Sequence, residues 1–206
     1  MSGLKMTQIQ SISFDQQYII QAIMGLCGIT QFDADLTYGN GGFWKNLPQP
    51  SLKFDIDPQT EDTVQASSTS IPVADGALAS IMFDPPFLTY IKAGREHNSV
   101  MGKRFSGYWK YEELELHYKQ TILEAYRLLV KKGIFVVKCQ DIIHNHKMHC
   151  THMNVVNWAV NMFRIKDLFV LAAKHRMPMP ESATINKRQQ KHARVHHAYF
   201  LVMERL

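Results

Sequence analysis

The chain has no run of about 18 uninterrupted apolar residues, so the sequence offers no membrane-spanning helix. Its first residues, MSGLKMTQIQSISF, lack an apolar core behind a basic start, so no secretory signal is expected. Cysteine is scarce and unpaired by pattern: Cys27, Cys139 and Cys150 are odd in number and include no CxxC, which argues against a disulfide framework and fits a reducing compartment. There is no internal repeat and no low-complexity tract. The 11 Gly and 8 Pro of 206 residues are scattered, which excludes collagen-like chains. Disorder is excluded by 46% hydrophobic residues against 20% charged. What remains is a cytoplasmic globular chain, one domain spanning 1–206 with residues 1–15 loosely held. Lys and Arg exceed Asp and Glu by 23 − 18 = 5, a basic balance that favours polyanionic partners.

Periodicity predicts a helix over 16–27, with Ile19, Ile20, Ile23, Met24 and Leu26 at three- and four-residue offsets and Gly28 as its C-cap. Short strands are expected at Phe32–Leu36, Leu52–Ile56 and Thr63–Ala66, and a buried one at Ala77–Phe83. A long polar loop over 90–110 carries Gly94, Gly102 and Gly107. A helix over 112–130 follows, stopped by Lys131-Lys132-Gly133 with Gly133 as terminator. A strand over 134–138, a helix over 153–163 and strands over 165–173 and 197–203 complete the pattern. Strands alternating with helices imply a mostly parallel sheet covered on both faces, and the last two strands, joined without a helix, imply a terminal antiparallel hairpin.

Two segments carry chemistry. In Asp35-Leu36-Thr37-Tyr38-Gly39-Asn40-Gly41-Gly42, glycines after a strand let a ligand approach the backbone, and ligands of open α/β sheets sit at strand carboxyl ends. Asp55 ends the next strand, where an acid can hold a ribose diol; a plain turn with a surface acid is the competing reading. In Asp84-Pro85-Pro86-Phe87, two prolines stiffen a turn after a buried strand. The Asp84 carboxylate and Pro85 carbonyl are fixed acceptors for an exocyclic amine, and Phe87 offers a face for a flipped base. A Pro-Pro surface loop over a buried Phe is the bland alternative for the tetrapeptide taken alone.

In this order the segments resemble those of class I S-adenosylmethionine-dependent methyltransferases, and among them the amino-methyltransferases with an (Asp/Asn/Ser)-Pro-Pro-aromatic motif. The chain is most similar to small phage and mobile-element DNA methylases of the adenine-N6 type, whose glycine motif reads Asp-Pro-Thr-Tyr-Gly-x-Gly-x-Phe-Trp. Here it is Asp35-Leu36-Thr37-Tyr38-Gly39-Asn40-Gly41-Gly42-Phe43-Trp44, with Leu36 in place of proline. The likeness continues through Tyr126-Arg127-Leu128-Leu129-Val130-Lys131-Lys132-Gly133, Val137-Lys138-Cys139-Gln140-Asp141, His192-Ala193-Arg194 and Tyr199-Phe200, about residues 16–204 in all.

The resemblance implies a Rossmann-like, mostly parallel seven-stranded sheet with an antiparallel C-terminal strand. It implies S-adenosyl-L-methionine as cofactor, with Asp35, Thr37, Tyr38, Gly39 and Gly41 along its methionine part, Asp55 on the ribose and Ile56 against adenine. Many relatives carry an acid after the third strand; this chain has Ala66-Ser67-Ser68, which leaves Ser68 as the cofactor-side residue there. Asp84, Pro85, Pro86 and Phe87 would hold the target amine, adenine N6 in DNA first. Alternatives are an RNA methyltransferase acting on guanine N2 or adenine N6, and a non-catalytic cofactor-binding subunit.

Two clusters remain. His144, His146, His149, Cys150 and His152 crowd nine residues, but without a second spaced pair they are expected to bind no metal. Lys174, His175, Arg176, Lys187, Arg188, Lys191, His192 and Arg194 form a basic run whose one acid is Glu181. It is either a solvated surface or a phosphate-binding one; Lys187, Arg188, Lys191 and Arg194 are the candidates for nucleic acid, DNA ahead of RNA. No segment is long enough for a separate target-recognition domain, so a specificity partner or a homodimer stays open.

Overall fold

The computed structural model of the chain describes residues 8–87, 89, 108, 110–173 and 191–206. Most of the polar loop over 90–110 and most of the basic stretch, with Lys187 and Arg188, lie outside the described residues. The described chain forms β1 (Ile12–Ser13), α1 (Gln16–Cys27), β2 (Ala34–Asp35), a single 3-10 turn (Gly42–Trp44), β3 (Leu52–Asp55), β4 (Val64–Gln65) and β5 (Leu78–Phe83). Then come α2 (Tyr111–Leu128), β6 (Leu129–Cys139), a hairpin of β7 (Ile142–His144) and β8 (Lys147–His149), α3 (Thr151–Ala159), β9 (Phe163–Ala172) and β10 (His197–Arg205).

Eight strands make one sheet in the order β1-β9-β10-β6-β5-β2-β3-β4. All neighbours run parallel except β10, which is antiparallel to both β6 and β9. Seven of these strands match the expected layout. The eighth arises because Ile12 and Ser13, within the segment expected to be loosely held, pair with Val170 and Leu171. The strand order reverses between β2 and β5, and the crevice at such a switch point is where open α/β sheets bind ligands.

The period-two alternation of strand side chains splits the core between the faces. Ile81, Phe83, Phe135, Val137 and Leu201 pack on one face with Leu114, Tyr118, Ile122 and Ala125 of α2. Met82, Val136, Phe200 and Val202 pack on the other with Ile19, Ile20 and Ile23 of α1 and with Phe32 and Trp44. α1 starts where the Asp15 carboxylate accepts from the Gln17 amide (2.9 Å) and stops at left-handed Gly28, whose N–H reaches the Met24 carbonyl.

The junction after α2 differs from expectation. The helix ends at Leu128, the strand begins at once, and the left-handed residue is Lys132 (φ 64°), not Gly133. Gly133 is required for another reason: a Cβ there would lie 2.8 Å from the Val130 carbonyl oxygen. Leu78 pairs with Leu129 but Ser80 with Ile134, so residues 130–133 form a bulge that absorbs the turn.

No α-helix lies in the connections β2–β3, β3–β4 or β4–β5. Segment 66–77 is instead clipped to α2 by Arg127, whose guanidinium donates to the carbonyls of Ile71 (3.0 Å) and Val73 (2.8 Å) and to the carboxylates of Glu124 and Asp75. Glu124 in turn accepts from the Ile71 amide at 2.7 Å. Among the described residues no helix is long and apolar enough to cross a membrane.

Candidate active site

β2 and β5 deliver Asp35 and Asp84 side by side to the switch point. Asp35 is buried at 1% exposure. One carboxylate oxygen accepts from the Thr37 amide (2.8 Å) and the other from the Trp44 indole N–H (2.6 Å). Burial still dominates and pushes the Asp35 pKa up to about 7, helped by the nearby Asp84 and Asp55 carboxylates and opposed by those two donors. Trp44, the last residue of the glycine motif, thus packs in the core and also supplies a hydrogen bond to the buried acid.

Thr37 ties the two segments together, because its hydroxyl oxygen accepts from the Asp84 amide at 2.8 Å. The Gly39 amide donates to Asp55 at 2.7 Å, and the Asp57 amide donates to the other Asp55 oxygen at 2.8 Å. Each carboxylate oxygen keeps a further lone pair for a ligand hydroxyl. Gly39 and Gly41 sit in the left-handed region at φ 59° and 74°. A Cβ on Gly41 would lie 2.6 Å from the Tyr38 hydroxyl, whereas one on Gly39 would meet nothing within 4 Å. The turn therefore needs Gly41 for its own closure and leaves open space above Gly39. Ile56, next to Asp55, exposes 63% of its surface, an apolar face without cover. Tyr38 is buried, its hydroxyl 2.5 Å from the Gln49 side-chain oxygen.

Ser68 is buried, two residues beyond Ala66, whose amide donates to the Asp55 carbonyl at 2.9 Å. Its hydroxyl lies 2.6 Å from His117 Nε2 and 3.0 Å from Thr121 Oγ1, so it faces α2. The other ring nitrogen of His117 meets the Tyr108 hydroxyl. Burial depresses the His117 pKa to about 4, which keeps this ring neutral at physiological pH.

Pro85 is buried, while Asp84, Pro86 and Phe87 are partly exposed. Asp84 also meets a residue to which sequence reasoning gave no role. The Lys138 ammonium lies 3.0 Å from Asp84 Oδ2 and 2.9 Å from Gln16 Oε1. A lone cation inside the apolar strand Ile134–Cys139 was the available signal, since a buried lysine needs a partner. Burial pushes the Asp84 pKa above the ordinary aspartate value, and the charge and hydrogen bond of Lys138 pull it back.

Beyond the end of β6, Asp141 (5% exposed) lies 2.7 Å from His152 Nδ1, and its other oxygen accepts from the Tyr199 hydroxyl at 3.4 Å. The His152 and Tyr199 rings stack at 4.1 Å, and His149 stacks on Tyr111 at 3.7 Å. The histidine-rich stretch is thus engaged with aromatic and acidic neighbours. Lys191 and Arg194 are exposed in the segment entering β10, and His192 between them lies 2.8 Å from the His146 carbonyl oxygen.

Solved structures with the same layout include a "putative sarcosine dimethylglycine methyltransferase" from Galdieria sulphuraria. It is 11% identical, with a TM-score of 0.54, over 92% of this chain and 84% of that one. The fold is that of a methyltransferase. TrmN from Thermus thermophilus matches at 12% identity and a TM-score of 0.50 over 92% of this chain and 48% of its own. A "Putative DNA Modification Methylase" from the same organism matches at 17% identity and a TM-score of 0.42 over 65% of this chain and 48% of its own. The chain therefore spans about half the length of these two Thermus proteins. No protein-family model and no curated protein matches it.

Proposed function

We propose that this protein is an S-adenosyl-L-methionine-dependent N-methyltransferase whose acceptor is an exocyclic amine of a nucleobase, adenine N6 in DNA first. The observation that carries this reading is the Thr37 bridge. It locks the glycine turn and the Asp84-Pro85-Pro86-Phe87 turn into one unit at the switch point of a methyltransferase fold. A binding turn and an amine-holding turn have to be in fixed register if a methyl group is to pass between them in line.

The residues present fit the cofactor. Open space lies above Gly39, Asp55 keeps lone pairs for a ribose diol, Ile56 offers an apolar face for adenine, and Asp35 can meet a cationic amino group. When bound, the cofactor would supply a sulfonium methyl group to the acceptor nitrogen. Asp84 accepts a hydrogen of the target amine and the Pro85 carbonyl accepts the other. This directs the nitrogen lone pair at the methyl group; as the N–C bond forms the S–C bond would break, a thioether would leave, and the nitrogen would give up one proton to solvent. Phe87 stacks on the base, which must leave its helix to reach this depth. Lys191 and Arg194, with Lys187 and Arg188 from outside the described residues, would contact phosphates.

The test is transfer of labelled methyl groups to duplex DNA, single-stranded DNA and RNA, with Asp84→Ala as the control. Incorporation into DNA adenine that is lost in the variant is the expected result. Incorporation into RNA alone would move the substrate, and cofactor binding with no transfer to any acceptor would leave a binding subunit.

A further inference from the structure

We propose that Lys138 is a positioning residue that holds the Asp84 carboxylate as a fixed anionic acceptor facing the target amine. The proposal rests on the methyltransferase reading above. Its observation is independent of the motif: a cation at the carboxyl end of β6 reaches across to the turn after β5. Phe83 pairs with Val137, so Lys138 stands beside the first residue of the Asp84-Pro85-Pro86-Phe87 turn. The side chains of Lys138 and Asp84 are only 12% and 21% exposed, and their ion pair measures 3.0 Å.

Three rings surround the ammonium, with Phe43 at 5.3 Å and Phe87 and Phe200 at 5.7 Å each. Such rings attract a cation and keep water from screening it. Gln16, the first residue of α1, supplies the second acceptor at 2.9 Å, so the ammonium is held from two sides. Gln17 donates to the Phe43 carbonyl at 3.0 Å, which ties the same helix end to the turn that carries one of the rings. Lys138 thus has one orientation, and Asp84 inherits it.

The consequence for chemistry is electrostatic. Burial favours the protonated acid at Asp84, and a protonated carboxyl would offer the amine a donor where an acceptor is needed. The other titratable groups facing Asp84 do not help. Asp35 on β2 is a like charge when ionised, and Tyr118 on α2 and Cys139 on β6 are neutral because burial raises both. Lys138 supplies the opposing charge.

Two readouts on the full chain test this. One is the titration of the Asp84 carboxyl carbon by NMR; the other is the pH profile of methyl transfer to the best of the three nucleic-acid acceptors. Lys138→Met is expected to raise the Asp84 midpoint by about one to three pH units, with the acid limb of kcat rising in step. The KM for cofactor should stay within about threefold, because uniform binding is untouched. Lys138→Arg keeps the charge and is expected to return both readouts toward wild type. It also serves as the folding control, with denaturation midpoints recorded for each variant. An Asp84 midpoint unmoved in Lys138→Met would overturn the proposal, as would an equal loss of rate at every pH in both variants. No transfer by the wild-type chain at any pH sinks the methyltransferase reading and the amine role with it. An unmoved midpoint in an active enzyme sinks Lys138 alone.

Discussion

On one side of the switch point β6, β10 and β9 run for 11, 9 and 10 residues, whereas β2, β3 and β4 on the other run for 2, 4 and 2. The long strands bury Phe135, Val136, Phe200, Leu201 and Val202 completely or nearly so. The short ones leave Leu52 and Val64 exposed, as is Ile56 just past β3, and they are joined by loops fastened through side chains. Asp33 accepts from the Ala79 and Ser80 amides, Asp55 from Gly39 and Asp57, and Lys53 pairs with Asp62. One half is held by apolar packing and continuous ladders, the other by polar fastenings around an open turn. The residues proposed to touch the cofactor lie in the second half, and Asp84 stands at the seam. This division separates what stabilises the fold from what binds.

The largest expected effect lies in the long-strand half. Leu201→Ala should lower the unfolding free energy by about 2–5 kcal/mol in urea denaturation while cofactor affinity in the folded fraction holds. A loss under about 1 kcal/mol would break the division. At the seam, Asp84→Ala should reduce kcat by roughly 10²–10³ with cofactor affinity within about twofold, measured by single-turnover methyl transfer and calorimetry. A variant that binds cofactor tenfold more weakly would place Asp84 in the binding half instead.

Trp44→Phe removes the indole donor to Asp35 and should cost about 1–3 kcal/mol of stability, because the buried carboxylate keeps one fewer partner. It should raise the Asp35 midpoint further. Asp55→Asn leaves one of the Gly39 and Asp57 amides without its acceptor, so it should cost about 1–2 kcal/mol of stability and weaken cofactor binding about tenfold by isothermal titration.

A pH dependence of stability is expected as well. The folded state holds the Asp35 proton up to pH about 7, while the ordinary aspartate value is 3.8. The unfolded chain therefore releases that proton first, and Asp35 lowers stability as pH rises from about 4 to about 7. Thermal melts of the wild type should show this decline relative to Asp35→Asn. If the ionised form meets a cationic amino group, cofactor affinity should instead rise by about three- to fourfold from pH 6.5 to 8 and then level off.

The two halves also differ in how much of them could be read in advance. α1 was legible to the residue, because an apolar period of three and four meets a glycine cap at Gly28. The glycine turn and the Asp84-Pro85-Pro86-Phe87 turn were legible because few residue types permit such backbones. The Arg127 clip was not, since nothing local tells that one guanidinium replaces a covering helix. Gly133 was misread as a helix stop because a glycine required for close approach looks the same as one required for φ; here Lys132 takes the positive angle. Lys138 was hidden because its partners Gln16 and Asp84 are 122 and 54 residues away in sequence. The partners of the Ser68 hydroxyl, His117 and Thr121, were hidden too, because they lie 49 and 53 residues away in sequence.

The Arg127 clip also says how this chain can change over generations. A covering helix constrains a dozen positions at once, whereas segment 66–77 is held by a few contacts to α2, chief among them one guanidinium meeting two carbonyls and two carboxylates. Its outward residues are free to drift in composition as long as those contacts are kept. Variation at the outward positions of this loop should therefore be broad, with the least tolerant positions, Arg127 and Glu124, on α2 rather than in the loop itself.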